Sequence, residues 1–371
     1  MQCFPTTRTE FAKIAIMLAV LSGPVFADAQ PKVAEWKLTQ AFAFGDGSDV
    51  VLERVRSLQL LRDGRLLVAD VGAKSIVVSD SLGRAQKPLG RAGAGPAEYG
   101  SPGSLATIGD TIAVLDVVNT RIGLFNGKGE WQGQWPSQRI SGPEVRLFRT
   151  QAGEFYNYST KPDGKVLRTA YVGYDKGGAR DTVVPEPFPT SVTFVRCNSP
   201  DGGISFFDSK FGTKQLRIPG AGGTVLDGMS DKYQLQLHRV NGDVVANYSG
   251  TAARIPLGDK EWLESIKDFT EFARENTTGA CTRSSVDRPP AKPAIRAVWW
   301  DDVGRLWVER YAAKGFAFDV FSKAGTPIAT MPAPERVEDV EPSVVGNRLA
   351  ILTLNADGVP VVRVYRMALA K

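Results

Sequence analysis

A repeat of 46 residues is the feature that most restricts how this chain can fold. Residues 60–83 align on residues 106–129 without a gap, so that Asp70 falls on Asp116. Both stretches consist of short runs of alternating apolar residues separated by polar turns, which is the pattern of β-strands with one or both faces buried. A repeat of this length made of strands predicts the blades of a β-propeller.

The repeated unit recurs along most of the chain. A clear copy occupies 302–325, where Gly-Arg-Leu-Trp-Val at 304–308 repeats the pattern of 64–68. Weaker copies lie at 154–174, 223–248 and 348–365. The last copy is short of one strand, and residues 33–44 are predicted to supply it, so that no sheet edge stays open. We therefore predict an all-β, six-bladed β-propeller that forms a single domain over residues 30–371.

The connections between the predicted strands often contain Asn or Asp directly before Gly. This dipeptide is the strongest short-range signal of a hairpin, because both residues tolerate a positive φ angle. It occurs at Asp63-Gly64, Asn126-Gly127, Asp163-Gly164, Asn241-Gly242 and Asp357-Gly358. These sites predict tight turns between strands.

One segment departs from the strand pattern. Residues 259–276 place Trp262, Ile266, Phe269 and Phe272 at spacings of four and three residues. That spacing predicts an amphipathic α-helix with one apolar face. The helix falls between the fourth and fifth copies of the repeat, and we expect it to pack as an insertion on the outside or across one face of the ring.

Residues 1–29 are predicted to be a signal peptide that is cleaved after Ala29. Arg8 and Lys13 precede an apolar run over 14–26, which ends in Ala-Asp-Ala at 27–29. This run is too short to stay in a bilayer as a spanning helix, and no later stretch approaches the roughly 20 apolar residues that such a helix needs. We therefore expect a secreted or periplasmic protein without a transmembrane segment.

Charge and cysteine content exclude some functions and favour others. The formal net charge of +5 is a small basic excess that is spread along the chain, and it argues against a nucleic-acid-binding protein. Cys197 and Cys281 remain after the predicted cleavage, and thiols of exported proteins tend to pair. A disulfide between them is the first expectation, and two separately buried thiols are the alternative.

Two stretches carry a family resemblance. The Gly-rich segment 90–99, Gly-Arg-Ala-Gly-Ala-Gly-Pro-Ala-Glu-Tyr, is followed by Pro102, and the strand pair 114–122 reads Val-Leu-Asp-Val-Val-Asn-Thr-Arg-Ile. In these features the chain resembles bacterial six-bladed β-propeller proteins related to the NHL-repeat family. The resemblance extends from about Val33 to the end of the chain. It implies the fold and no particular activity.

Several residues are candidates for binding or structural roles. The segment 90–100 is interpreted as a turn between blades, since no Lys-Ser or Lys-Thr follows it as in a phosphate loop, and Arg91 and Glu98 are our candidates for ligand contact. Asp70 and Asp116 occupy equivalent strand ends. They are interpreted as caps of the same turn in two blades, with carboxylates that converge on a cation as the alternative.

His238 and four tryptophans are further candidates for chemical or binding roles. Because His238 is the only histidine, a nucleophilic triad or a His-rich metal site is nearly excluded, and we expect a solvent-facing strand residue with a lone acid or base as the alternative. The tryptophans have two possible roles, stacking on sugars or bases and packing inside blades, of which we expect the second. They are Trp131, Trp135, Trp299 and Trp300.

No catalytic residue, metal ligand or cofactor site is predicted. The leading hypothesis is a monomeric, non-enzymatic binding module that presents one face of the ring to a protein, peptide or glycan. The alternative is a metal-dependent propeller hydrolase or lyase of the gluconolactonase type, in which a cation polarises a carbonyl group and a carboxylate acts as general base. A mainly structural role is the third hypothesis.

Overall fold

The computed structural model of this chain describes most of the residues from Val33 onward. The described ranges are 33–47, 50–137, 146–150, 152–163, 166–175, 178–183, 185, 195–198, 202, 204–207, 209–275, 281–282 and 284–370. Residues 33–371 form one compact unit. The predicted signal peptide lies outside the described residues.

Antiparallel strands make up nearly all of the regular structure in these ranges. The first strand is β1 (Ala34–Phe44). Most of the strands that follow are grouped in sets of four neighbouring antiparallel strands, each set here called a meander. Meander A contains β2 (Val55–Leu60), β3 (Leu66–Asp70), β4 (Ser75–Ser79) and β5 (Ala85–Leu89). The short parallel strands β6 (Arg91–Ala92) and β7 (Glu98–Tyr99) lead to meander B, with β8 (Pro102–Ile108), β9 (Thr111–Asp116), β10 (Arg121–Phe125) and β11 (Trp131–Pro136).

The chain continues in the same manner through two further meanders. Meander C contains β12 (Leu147–Arg149), β13 (Phe155–Asp163), β14 (Val166–Asp175) and β15 (Gly178–Val183). The hairpin of β16 (Val195–Asn198) and β17 (Ile204–Phe207) precedes meander D, with β18 (Gln215–Pro219), a 3₁₀ turn at Ala221–Gly223, β19 (Val225–Met229), β20 (Gln234–His238) and β21 (Val244–Ser249).

Two helices and an eight-stranded sheet complete the described chain. The helices are α1 (Asp259–Ser265) and α2 (Lys267–Glu275). Meander E contains β22 (Ala297–Trp300), β23 (Leu306–Tyr311), β24 (Phe316–Phe321) and β25 (Pro327–Ala333). Meander F contains β26 (Ser343–Val345), β27 (Arg348–Leu354), β28 (Pro360–Leu369) and finally β1.

Strand β1 returns from the start of the described chain to the last meander. It pairs antiparallel with β28, from Trp36 opposite Leu369 to Phe44 opposite Val362. A short parallel pairing of β1 with β25 joins meanders E and F into one eight-stranded sheet. The N-terminal strand therefore links the two ends of the chain.

The first strand of each meander, here called its inner strand, lies beside the inner strand of the next meander. Contacts connect β2 to β8, β8 to β12, β12 to β18, β18 to β22, and β26 back to β2. Between meanders E and F, the N–H of Asp302 donates to the carbonyl oxygen of Val344 at 3.3 Å. The inner strands thus surround a common axis, which is the arrangement of a β-propeller.

Serine hydroxyls make three of these connections between inner strands. Ser343 Oγ accepts a hydrogen bond from the N–H of Leu60 at 2.9 Å. In the same way Ser57 accepts from Leu105 at 3.0 Å, and Ser104 accepts from Leu147 at 2.9 Å. The hydroxyls satisfy backbone donors that have no strand partner on that side, because inner strands do not form a sheet with one another.

Apolar side chains fill the space between neighbouring meanders. One cluster joins meanders A and B around Ile76 and Phe125, and another joins B and C around Leu115 and Phe155. Further clusters join C, D and E, then E and F, and finally F and A. The hydrophobic core is therefore a series of layers between sheets, and burial of these layers is the main stabilising contribution.

Several turns between strands depend on one glycine with a positive φ angle. At Asn126 the side-chain Oδ1 accepts the N–H groups of Lys128 and Glu130, and the positive φ angle of 83° belongs to Gly129. Asp80, Asp301 and Asn355 form the same turn, and each is followed three residues later by a glycine with positive φ. The Asn126-Gly127 dipeptide therefore marks a turn, but the residue with positive φ lies two positions further along.

The predicted single helix over 259–276 is two helices in the structure. The chain leaves helical geometry at Ile266, whose φ and ψ angles are −114° and 12°. Ser265 Oγ donates to the carbonyl oxygen of Trp262 at 2.7 Å, and such local side-chain bonds compete with the helical pattern. Trp262 and Phe269 are both buried in a small core of their own, together with the β16–β17 hairpin.

The disulfide between Cys197 and Cys281 is confirmed. The two residues also form an isolated antiparallel bridge, and they are 84 positions apart in the chain. The bond connects the β16–β17 hairpin to the segment that follows α2, so it ties the helical insertion to the part of the chain that precedes meander D.

Candidate functional site

The space enclosed by the inner strands contains the main candidate for a functional site. A cavity of about 700 Å³ opens at the end where the inner strands begin, here called the entry mouth. A second cavity of about 450 Å³ opens at the end where they finish, here called the exit mouth. Arg149 and Asp302 line both cavities, so they lie where the two meet.

Two buried carboxylates hold the segments of meanders A and B at the entry mouth. Asp70 accepts the backbone N–H groups of Glu53 and Arg54 at 2.8 and 3.0 Å. Asp116 accepts those of Gly100 and Ser101 at 3.1 and 3.0 Å. Each carboxylate thus fixes the segment that leads into an inner strand. Asp70 also accepts the N–H groups of Gly72 and Ala73, and Asp116 accepts that of Asn119, and these bonds agree with the turn-capping interpretation.

A buried ion network positions the segment between β25 and β26. Glu309 is fully buried and accepts from Arg336 Nη2 at 2.6 Å and from Arg296 Nη1 at 3.0 Å. Arg336 Nη1 also donates to three backbone carbonyl oxygens, those of Val337, Glu338 and Val340, at 2.9–3.0 Å. The segment that carries the acidic residues of the entry mouth is therefore held by Arg336.

The acidic side chains of the entry mouth are mostly neutralised by neighbours. Glu341 pairs with Arg146 at 2.8 Å. Glu338 receives Arg296 at 3.3 Å, and two lysines, Lys210 and Lys214, lie within 4 Å of it. These carboxylates consequently contribute little negative potential to the cavity.

Three arginines of the entry cavity, in contrast, have no carboxylate partner within the described ranges. Arg54 and Arg56 are exposed at the mouth, and their guanidinium groups make no hydrogen bond or ion pair with the described part of the chain. Arg149 Nη2 donates to the backbone carbonyl of Asp302 at 2.9 Å, across the channel from its own meander. The cavity is therefore lined by guanidinium groups with free donors.

Arg149 is the least exposed of the three arginines. Its Nε is buried and has no hydrogen-bond partner among the described residues. Burial lowers the pKa of the Arg149 guanidinium, and the nearby charge of Asp302 opposes that shift. A desolvated cation with unused donors is unfavourable by itself and binds an anion strongly when one is available.

The predicted ligand contacts Arg91 and Glu98 bind each other. Their side chains form an ion pair at 2.8 Å, and Glu98 Oε2 also accepts the N–H of Gly95 at 2.8 Å. The Gly95 N–H and the Arg91 guanidinium hold the pKa of Glu98 below its usual value. Both residues lie in the linker between meanders A and B, and neither lines either of the two cavities.

His238 and three of the four tryptophans lie away from the cavities. His238 Nε2 is 2.6 Å from Asp227, which also pairs with Arg217, so the three side chains form a row across meander D. The tryptophans pack on aromatic rings: Trp131 on Phe125, Trp135 on Tyr174 and Trp299 on Trp307. Trp300 alone among them lines the entry cavity, and its indole N–H donates to Pro219.

The described residues contain neither a cluster of metal ligands nor a helix that could span a membrane. Among the side chains of the described ranges, no three His, Cys, Asp or Glu residues are arranged to hold a metal ion. In the same part of the chain, no helix combines the length and the apolar character that crossing a membrane requires.

Sequence reasoning missed the arginines of the channel. Arg54 directly precedes the inner strand β2, and Arg146 directly precedes the inner strand β12. A basic residue at this place in two copies of the repeat is a signal that the sequence does contain. Arg149 has no such signal, since only the closed ring shows that it crosses the channel.

Comparison with known proteins shows similarity at the level of three-dimensional structure alone. No protein-family profile matches this chain, and no curated protein sequence matches it. A protein of Bacteroides fragilis that is presumed to be exported is 12% identical, with a TM-score of 0.49, and the match covers 92% of this chain and 98% of that one.

Two further solved structures are similar to a comparable degree. A member of the DUF4221 family from Bacteroides vulgatus is 13% identical, with a TM-score of 0.43 and coverage of 91% of this chain and 100% of that one. The PQQ-bound aldose sugar dehydrogenase of Streptomyces coelicolor is 12% identical, with a TM-score of 0.43 and coverage of 90% and 99%. These similarities carry no argument about a ligand, and the fold described above rests on the sheets themselves.

Proposed function

We propose that this chain is an exported, six-bladed β-propeller that works as a non-enzymatic binding module. In this proposal meanders A to F are the six blades, and β1 closes the last one, so that residues 30–371 form a single, monomeric domain related to NHL-repeat propellers. Residues 1–29 are the signal peptide, removed after Ala29, and the mature protein is secreted or periplasmic.

The observation that carries the binding function is the entry cavity with its unpaired arginines. Binding sites are usually concave and carry a few polar groups that fix a ligand. The entry cavity has these properties, and three guanidinium groups in it lack a carboxylate partner among the described residues. The partner of the module is a peptide, a glycan or a protein segment that enters this mouth.

Export is supported by the disulfide. A bond between Cys197 and Cys281 persists in an oxidising compartment and is rare in the cytosol. The intact mass of the protein purified from a periplasmic or culture fraction tests the cleavage. A mass that begins at Gln30 is expected, and a mass that includes residues 1–29 would contradict the proposal.

Binding at the entry mouth is tested with a pair of tryptophan variants. Ser101→Trp places a large side chain at the wall of the cavity, and Leu82→Trp places one at an exposed turn far from it. The wild type and both variants are screened by thermal shift against a defined panel of amino acids, short peptides, sugars and small organic acids. A ligand that binds the folded protein raises the melting temperature, and the shift grows with the logarithm of the ligand concentration once that exceeds Kd.

We expect compounds that stabilise the wild type and Leu82→Trp and do not stabilise Ser101→Trp. The binding function at this mouth is wrong if no compound stabilises the wild type, or if Ser101→Trp responds as the wild type does. The enzymatic alternative is tested in parallel with gluconolactone in the presence of Ca²⁺ or Mg²⁺. Metal-dependent hydrolysis would replace the binding module with the hydrolase hypothesis.

A further inference from the structure

Arg149 occupies a place in the channel that only the closed ring creates. It comes from the end of inner strand β12 and reaches Asp302, which follows inner strand β22 on the other side of meander D. Because Arg149 and Asp302 line both cavities, they lie at the inner end of the entry cavity, here called its floor, where the exit cavity begins. A ligand that fills the entry cavity ends at the Arg149 side chain.

The hydrogen-bonding capacity of Arg149 is mostly unused. A guanidinium has five N–H donors, and here one bond, from Nη2 to the Asp302 carbonyl, is made within the described ranges. No carboxylate of the described residues forms an ion pair with it. The carboxylate of Asp302 accepts the N–H of Gly346 instead. Arg149 is therefore a half-buried cation that forms no ion pair with a carboxylate of the described residues.

The charges around Arg149 favour an anion with a single negative charge. Arg54 and Arg56 at the mouth add positive potential along the path to the floor. The charges that act on Arg149 itself partly cancel, since Asp302 and Asp301 oppose Arg62, and the exposed Asp339 lies at the mouth, so a second negative charge on the ligand gains little further attraction. A carboxylate is negative and carries only one charge. Its two oxygens also match the parallel N–H groups of a guanidinium.

The remaining wall of the entry cavity is partly apolar. Leu58, Leu105 and Trp300 line it. The ring of Trp300 packs against Tyr248 in the layer between meanders D and E, and its indole N–H is bonded to Pro219, so Trp300 offers the cavity no free donor. A ligand with one carboxylate and an otherwise uncharged body is complementary to such a wall, because its charged end reaches the floor while the body meets no charged group that it must desolvate.

We propose that the part of the partner that enters the cavity carries a single carboxylate group, and that Arg149 binds this carboxylate through two parallel hydrogen bonds. The proposal rests on the proposed function, since it names the chemical class of the ligand that this mouth accepts. Arg149 is the residue that determines specificity for the acid, and Arg54 and Arg56 raise the rate of its entry by long-range attraction.

The test compares three probes on the purified mature protein. Benzoate, benzamide and inorganic phosphate are titrated by calorimetry and by ligand-observed NMR. Benzoate and benzamide have the same apolar body and differ in the charged group. We expect benzoate to bind at least ten times more tightly than benzamide, and inorganic phosphate to bind more weakly than benzoate.

Two substitutions test the role of Arg149. Arg149→Gln is expected to weaken benzoate binding about tenfold to a hundredfold, the usual range for a charge-assisted pair, and to leave benzamide binding within about threefold. Asp302→Asn is expected to strengthen benzoate binding severalfold, because it removes the negative charge beside the guanidinium while the Asn oxygen still accepts the Gly346 N–H. The matched control is Arg84→Gln, an exposed arginine on an outer turn.

The outcomes separate this inference from the function on which it rests. Equal binding of benzoate and benzamide, both blocked by Ser101→Trp, would overturn the carboxylate class and leave the binding site in place. Probe binding that Ser101→Trp does not block would overturn the site itself. Tighter binding of phosphate than of benzoate would assign the site to phosphate-bearing ligands instead. If Arg149→Gln does not fold, a benzoate affinity that Asp302→Asn leaves unchanged or lowers would refute the role of Arg149.

Discussion

Removal of the charge on Glu309 is the perturbation that best tests how the entry mouth is built. Glu309→Gln keeps the size of the side chain and removes its negative charge. Two guanidinium groups, those of Arg296 and Arg336, then lose their buried counter-ion. The half-exposed Glu338 stays as the remaining acid beside Arg296.

The expected loss of folding stability follows from the hydrogen bonds of Glu309. Its oxygens accept from Arg296 Nη1 at 3.0 Å, Arg336 Nε at 3.0 Å and Arg336 Nη2 at 2.6 Å, and all three side chains are buried. Loss of one partner from a buried ion pair costs about 3–5 kcal/mol, because an uncompensated charge remains inside. With an unfolding entropy of about 2.1 cal/mol/K per residue, 4 kcal/mol corresponds to a fall in Tm of roughly 5–6 °C for a domain of this size.

The free energy of unfolding is measured by urea unfolding followed by tryptophan fluorescence, and Tm by thermal unfolding, with amide hydrogen exchange as the local measurement. Exchange of the amides in 337–341 is expected to become faster than in the rest of the protein, because Arg336 no longer holds their segment in place. The control is Arg84→Met, which breaks an exposed ion pair with Asp80 and is expected to cause no measurable change. A Glu309→Gln variant as stable as the wild type, with unchanged exchange in 337–341, would refute the reasoning.

Three further predictions concern the disulfide, the inner strands and the linker between meanders A and B. Replacing Cys197 and Cys281 by Ala is expected to cost about 4–5 kcal/mol in urea unfolding, since the bond closes a loop of 84 residues; an unchanged midpoint would contradict the entropic account. Ser104→Ala leaves the buried N–H of Leu147 without its acceptor and is expected to cost about 1–3 kcal/mol in the same assay. The pKa of Glu98 is lower in the folded protein than its usual value of 4.5. The stabilisation by its carboxylate is therefore present above pH 4.5 and is lost as the pH falls through the folded pKa. An NMR titration of the linker amides with a midpoint at or above 4.5 would show that folding does not stabilise the carboxylate.

Each of these predictions has a matched control in the same chain. Thiol titration of the unfolded, unreduced wild type should detect no free thiol from Cys197 and Cys281. Ser249→Ala changes an exposed serine of the outer strand β21 and should leave the unfolding midpoint unchanged. Glu98→Gln should abolish the acid titration of the Gly95 amide, because that N–H then donates to a neutral group.

Much of the fold is encoded locally and could be predicted for that reason. Each repeat of 46 residues contains its own alternation of apolar residues and its own turns. The sequence of one unit therefore predicts a meander independently of the rest of the chain. The paired cysteines and the helical character of 259–275 were likewise visible in the sequence. The interruption at Ile266 was not, because the periodicity of apolar residues continues through it.

The candidate site depended on contacts between distant parts of the sequence. Arg91 and Glu98 are charged residues in a Gly-rich linker, and the sequence could not show that they pair with each other. Arg149 and Asp302 are separated by 153 positions and meet across the channel. No local pattern encodes such a contact.

The sequence by itself determined which segments become strands, how the strands group into meanders and which cysteines are available to pair, since alternation and turn chemistry act over a few residues. The tertiary structure alone decided which side chains face the channel and which of them lack a partner. The physical reason is that each inner strand contributes only a few residues to the axis, and their charges act on one another only after the ring has brought them together.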